Sequence, residues 1–323
     1  KGNSRIHNDD CEAFIHWFIE QAKAQGCETC IFLGDWHHHR SSTNVSTMNY
    51  TVSNMERLGK AFEKVYVIMG NHDLYYRDKR EINSMEYIRN IPNIHIVNEW
   101  LVEDDVAIIP WVVQDEWKKI EKMKQKYVFG HFELPYFKMN AMVEMPDVGG
   151  IQTDHFAGCG KVFSGHFHKR QYMKNVTYMG NAFPHNYADA WDDDRGMMIL
   201  EYGSEPKFIN WPEMPRYITI KVSELLEDPD KYLKPKMYVR VTLDIKISYE
   251  EANFIRETFI DKYKLRELQL IPEQLDQAQQ PTVEVQKFDS VDQIVIKQLQ
   301  GVDSETYDKN ILTAIYNDLD VNN

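Results

Sequence analysis

Two periodicities alternate along this chain. Over residues 11–24 the apolar side chains Phe14, Ile15, Trp17, Phe18 and Ala22 recur at helical spacing, with Asn8 or Asp9 placed to cap the helix and Gly26 to end it. Residues 48–62 predict a second helix. Short apolar runs bounded by Gly or polar residues predict strands at 31–33, 65–69, 94–97, 106–110, 127–129, 162–164, 176–179, 197–202 and 207–211. Between them fall a short helix near 84–89, a charged surface helix over 114–125 and an irregular, Met-rich stretch over 134–160. This mixture predicts an α/β (α+β) fold in which two sheets pack face to face with helices outside.

Pro212 and Pro215 mark a boundary, so residues 1–213 are expected to form the main domain. A small α+β capping unit over 214–273 follows. It has an alternating strand at 237–245, a helix at 249–263 and another strand at 265–271. Residues 274–287 are Gln-rich with few large apolar groups and predict a linker. Residues 288–323 predict two amphipathic helices, one lined by Val291, Ile294, Val295 and Leu299, the other by Ile311, Leu312, Ile315 and Leu319. At about ten to fifteen residues such helices do not fold alone, so they dock on their own chain or on a partner.

Composition narrows the class. With 323 residues, 43% hydrophobic and 27% charged, the chain has enough material for one full core plus appendages. It contains no apolar run of about 18 residues and opens on no secretory leader pattern, so no membrane span and a cytoplasmic location are expected. A net charge of -13 argues against a free-standing basic nucleic-acid binder. It leaves open a site in which divalent metals supply the positive charge. Cys27 and Cys30 form a C-x-x-C, but no second pair completes a zinc set and Cys30 lies inside a strand. Cys11, Cys27, Cys30 and Cys159 are therefore expected as reduced thiols.

The chemistry gathers at strand ends. CIFLGD ends in Asp35, VYVIMGNHD in Asn71, His72 and Asp73, YVFGHFE carries His131, and KVFSGHFH carries His166 and His168. Each has an apolar strand, a Gly that permits a tight turn, and then a metal-capable side chain. In α/β sheets, ligands bind beyond the carboxyl ends of strands. Carboxylate, amide and imidazole without thiolate suit Mn²⁺, Fe²⁺ or Zn²⁺ in an open catalytic site. His72 is placed as a general acid for a leaving alkoxide, and Asp73 to hold the His72 ring by hydrogen bonding.

In their order, GDWHHHR, GNHD, GHFE and SGHFHKR resemble the calcineurin-like metallophosphoesterase superfamily. Within it they most resemble nuclease subunits of double-strand-break-repair complexes that pair with an SMC-like coiled-coil ATPase, especially the short subunits of T-even-type phages. The resemblance implies a DNA exonuclease and endonuclease using two Mn²⁺, with Mg²⁺ as a substitute. It implies Asp35 as the bridging ligand, Asn71, His131 and His166 on one metal, His168 on the other, and His72 as proton donor. His38 falls where some relatives carry a His that handles the DNA end, whereas His37 and His39 are expected in a solvated loop. The family opens with a D-x-H motif on its first strand, which does not precede Lys1, and His7 stands in the wrong context for it. A first strand is therefore expected upstream, and impaired or single-metal activity is expected for the chain as it stands. The resemblance also implies double-stranded DNA ends as substrate, a homodimer, and the residues 288–323 helices as the ATPase-binding element. Met48, Val52, Met55 and Leu58 share a helical face that would serve either the dimer or the core. The competing functions are a stand-alone phosphomonoesterase or phosphoprotein phosphatase, and a non-catalytic scaffold that anchors an ATPase.

Overall fold

The computed structural model describes residues 5–139 and 143–272. The elements in chain order are α1 (Arg5–Ala24), β1 (Thr29–Phe32), α2 (Val45–Ala61), β2 (Lys64–Ile68), β3 (Ile94–Val97), β4 (Leu101–Val102), β5 (Val106–Ile109) and β6 (Tyr127–Gly130). They continue with β7 (Lys161–Ser164), β8 (Gln171–Met173), β9 (Val176–Tyr178), β10 (Gly196–Ile199), β11 (Lys207–Asn210) and β12 (Tyr217–Lys221). After these come α3 (Val222–Glu227), α4 (Pro229–Tyr232), β13 (Tyr238–Leu243), α5 (Tyr249–Tyr263) and β14 (Glu267–Pro272).

One sheet is the parallel set β1-β2-β3, and the other has the order β4-β5-β6-β7-β9-β8 with β5, β6, β7 and β9 parallel. Strand period 2 explains how they stack. Along β2, Val65 and Val67 join the cluster under α1 and α2, with Ile15, Ala22, Met55 and Leu58. Ile68, from the opposite face of β2, joins Tyr127, Phe129 and Phe163 between the sheets. Val128 and Val162 turn to the outer face of the second sheet, where they meet Phe132, Phe156 and Tyr178. Both faces of these strands are buried, which is why the sequence shows near-continuous apolar runs there. The result is the two-sheet sandwich with flanking helices that the pattern predicts.

Several local expectations change. α1 begins at Arg5, so Asn8 and Asp9 lie inside it and do not cap it. Their side chains face α2 instead, where Asn8 donates to Thr47 Oγ1 at 3.5 Å and Asp9 accepts from the Tyr50 hydroxyl. The charged helix over 114–125 is a 3-10 segment, Gln114–Lys122, and the helix near 84–89 is a 3-10 turn, Glu86–Ile88. Of the Met48–Leu58 stripe, Met55 and Leu58 are buried in the core and Val52 packs against the same cluster, whereas Met48 is only partly buried.

The capping sheet β12-β13-β14 is wholly parallel and has its own core of Ile218, Ile220, Val239, Val241 and Leu268. Helix α5 starts on Ser248, whose hydroxyl accepts from the Glu251 amide while the Glu251 carboxylate accepts from the Ser248 amide. Arg266, just before β14, pairs with buried Asp10 of α1, and Trp191 donates its indole N–H to the Thr219 carbonyl of β12 at 3.0 Å. The chain divides into two compact units, Lys1–Glu273 and Gln274–Asn323. The second holds the expected linker and terminal helices and lies outside the described residues. Among the described residues no helix is long and apolar enough to cross a membrane.

Candidate metal centre and active site

The carboxyl ends of β1, β2, β6 and β7 meet at one edge of the sandwich, where Asp35, Asn71, His131 and His166 come together. The two sheets are joined there by hydrogen bonds. Trp111 N donates to the Met69 carbonyl at 2.8 Å, and the His131 Nδ1–H donates to the Leu33 carbonyl at 2.7 Å. A carbonyl can only accept, so the proton sits on Nδ1 and His131 Nε2 points inward. That nitrogen lies 3.2 Å from Asp35 Oδ2 and 3.1 Å from Asn71 Oδ1. His166 Nδ1 lies 2.9 Å from the same Asn71 oxygen. Asp35, His131 and His166 thus offer ligand atoms within 4.8 Å of one another, and Asn71 Oδ1 sits among them.

This close approach needs small residues and unusual backbone. A Cβ at Gly70 would stand 2.3 Å from Asp35 Oδ1, and one at Gly34, where φ is +95°, 2.5 Å from His131 Nδ1. Asp35 and His166 themselves adopt left-handed φ values of 59° and 88°. Backbone in this region costs of order 1–3 kcal/mol and persists where the surroundings over-determine it. Electrostatics agree with the geometry. Burial works to raise the Asp35 pKa, but the neighbouring His131 and the His72 amide outweigh it and hold the carboxyl well below its usual range. Burial likewise works to lower the His131 pKa, and the Asp35 carboxylate overcomes it and raises it. A buried point where carboxylate, amide oxygen and two imidazoles converge, with no thiolate, fits a divalent cation of intermediate hardness.

His72 occupies the lip. Its backbone N–H donates to Asp35 Oδ1 at 2.8 Å, and its ring Nδ1–H donates to the His38 carbonyl at 2.7 Å. The exposed His38 ring stacks on it, centroids 5.4 Å apart and planes 12° from parallel. Asp73 does something other than expected. Fully buried, it accepts from the backbone amides of Asp35 (2.7 Å), Gly70 (3.0 Å) and His37 (3.0 Å), fixing the loop while the His38 carbonyl orients the His72 ring. Burial, then the Asp35 charge, pushes its pKa up to about 7 against the pull of these amides. His37 also departs from expectation. It is 3% exposed, with Nδ1 2.8 Å from Ser84 Oγ and Nε2 3.2 Å from Thr51 Oγ1, and burial lowers its pKa to about 4. His39 is exposed, as a solvated loop requires.

His168 stands outside the metal-capable group of Asp35, His131 and His166. Its ring faces His185 at 6.0 Å, on the wall of a cleft of about 370 Å³ formed with residues 188–195. Reasoning from sequence gave no role to Glu133, Arg77 or Trp111, which form the wall behind His166. Glu133 was visible as the last letter of GHFE, whereas Arg77 sits in a charged loop that reads as solvated.

The family model for calcineurin-like phosphoesterases matches residues 6–170, a span that contains all four strand ends. The chain belongs to this family. Calcineurin-like phosphoesterases hydrolyse phosphoester bonds with divalent metals, and the Asp35–Asn71–His131–His166 cluster lies where this phosphoesterase gathers its donors. The chain is also 26% identical over 196 residues to Exonuclease subunit 1 of Enterobacteria phage T4. That alignment takes in 58% of this chain and 57% of the phage protein, so the chain spans little more than half the length of that relative.

Proposed function

We propose that this phosphoesterase is a metal-dependent DNA nuclease, both exonuclease and endonuclease, that works with an SMC-like ATPase in recombination and double-strand-break repair. The convergence of Asp35, Asn71, His131 and His166 beside His72 carries the hydrolytic part of this reading. The likeness to a phage exonuclease subunit supports DNA as the substrate.

Asp35, Asn71, His131 and His166 would hold one divalent cation, and Asp35 with His168 a second, Mn²⁺ by preference. When bound, such cations supply Lewis acidity toward the phosphate and the attacking water. The residues do the rest. Asp35 stays ionised throughout the working pH range because its pKa is held low. The His38 carbonyl occupies His72 Nδ1–H, so Nε2 is the atom left facing the leaving alkoxide, and it has a proton to give when the ring is the imidazolium, with both nitrogens protonated. Asp73 pins the amides on both sides of the Asp35 and Asn71 turns, keeping these donors in place before substrate arrives. The terminal residues 288–323 would bind the ATPase, and a homodimer would present two such sites.

One comparison tests both halves. The full chain and a chain ending before residue 288 are each offered Mn²⁺ with linear duplex DNA, a chromogenic phosphate monoester, and the coiled-coil ATPase. The reading expects both to cut duplex in preference to monoester, and the full chain alone to co-purify with the ATPase. Hydrolysis of monoester with duplex left intact would put the phosphatase reading first. Co-purification of the shortened chain would remove the partner assignment.

A further inference from the structure

Three imidazoles line the site, and each is anchored through one ring nitrogen. His131 and His72 are anchored by backbone carbonyls, those of Leu33 and His38, both at 2.7 Å. His166 is anchored differently. Its Nδ1 faces the cluster, 2.9 Å from Asn71 Oδ1, and its Nε2 faces the carboxylate of Glu133 at 3.4 Å. A ring nitrogen can ligate a cation only through a free lone pair, so His166 is competent only with its proton on Nε2.

We infer that Glu133, braced by Arg77, is the positioning residue that keeps the His166 proton on Nε2 and its Nδ1 lone pair on the metal site. This rests on the metal-dependent reading above and assigns a task within that site.

Glu133 is built in from both sides. Phe132 N donates to Ser164 Oγ at 2.9 Å, and Leu134 N donates to the Tyr178 hydroxyl at 3.1 Å. That hydroxyl donates in turn to the Phe132 carbonyl at 2.9 Å, and Ser164 and Tyr178 are fully buried. The backbone carrying Glu133 is therefore fixed to β7 and β9, and its side chain has little choice of direction. Arg77 Nη2 contacts both Glu133 oxygens at 2.8 Å. Its guanidinium lies over the Trp111 ring at 5.5 Å, and the Trp111 indole N–H donates to the Arg77 carbonyl at 2.9 Å. Trp111 packs against His166 with ring centroids 5.4 Å apart. Arg77 thus holds both carboxylate oxygens away from the cluster, so Glu133 serves as an acceptor for the ring rather than as a further ligand. Asn71 Oδ1, at 2.9 Å, competes for the proton at Nδ1; the Glu133 carboxylate, though farther at 3.4 Å, is the charged acceptor, and a cation that takes the Nδ1 lone pair leaves Nε2 to carry the proton toward it. A plain ion pair with Arg77 half exposed would contribute little to stability and nothing to the metal.

The test is Mn²⁺ titration by calorimetry on the full chain, its Glu133→Ala and Glu133→Gln forms, and Arg77→Ala. Thermal melting of the metal-free proteins serves as a check on folding. Losing such an outer partner weakens metal binding about 10–100-fold. Glu133→Ala is expected to show that loss with an unchanged melting temperature, and Arg77→Ala a smaller one. Glu133→Gln, which keeps an acceptor oxygen, recovers part of it. Imidazole ¹⁵N shifts of the metal-free full chain are expected to show His166 protonated at Nε2, and this preference to disappear in Glu133→Ala. Wild-type affinity in Glu133→Ala, no recovery in Glu133→Gln, or a His166 protonated at Nδ1 in the full chain would each overturn the inference while leaving the nuclease reading intact. A wild-type chain that binds no Mn²⁺ would overturn both.

Discussion

His37, His38 and His39 are consecutive, yet the fold gives each a separate fate. One is buried between hydroxyls, one lends its carbonyl to His72, and one is solvated. The cysteines divide in a similar way. Burial pushes the Cys30 thiol up to about 12, and burial followed by the Asp10 charge does the same for Cys11. A thiol reacts as its thiolate, so native Cys11 and Cys30 are expected to resist alkylation at pH 8 and to react in denaturant. The sign for stability follows. Above the ordinary thiol value of 9.0 the unfolded chain releases protons that the folded chain keeps, so stability is unaffected below pH 9 and falls toward pH 12. Rapid modification of native Cys30 at pH 8 would contradict this. At this scale the ligand-type residues were legible, because a Gly followed by a polar residue after an apolar run has few other uses. The tasks of Asp73, His37 and Glu133 were not. Each depends on partners distant in sequence, such as the His37 amide that donates to Asp73 or the His166 ring that faces Glu133, and no local pattern encodes those pairings.

At the scale of elements, the central strands were the most legible because burial on both faces writes an uninterrupted apolar run. Helix type was less so. The charged stretch at 114–122 carries helical spacing, but the bidentate pair of Arg80 with Glu116 and the burial of Ile120 hold it as a 3-10 segment. The loop before β10 makes a sharper prediction. Buried Arg195 pairs with buried Asp189 and with Asp192, both at 3.0 Å, and this loop forms the cleft beside His168. Arg195→Met removes one charge and leaves the other buried. Breaking such a pair costs about 3–5 kcal/mol. Urea unfolding of the variant is expected to show a loss of that order, and a loss below 1 kcal/mol would mean that solvent reaches Asp189.

At the scale of the whole molecule, the sandwich brings four strand ends from two sheets to one edge, and the small sheet β12-β13-β14 is fastened to α1 and to the loop before β10. The -13 net charge leaves no broad basic excess, so under the nuclease reading proposed above, cations at the Asp35 cluster would help to hold DNA as well as to cleave it. The order of the four strand-end motifs made the family legible. The attachment of the small parallel sheet to the main domain was not, since it rests on contacts such as Arg266 with Asp10, between residues at opposite ends of the described chain. The most direct test of the account is Mn²⁺-dependent cleavage of an end-labelled linear duplex by the full chain beside His72→Ala, with Mn²⁺ affinity measured for both. The account predicts cleavage that chelation stops, and a rate about 10²–10⁴-fold lower in His72→Ala at unchanged metal affinity. An intact duplex at every Mn²⁺ concentration, or His72→Ala cutting at the wild-type rate, would contradict it.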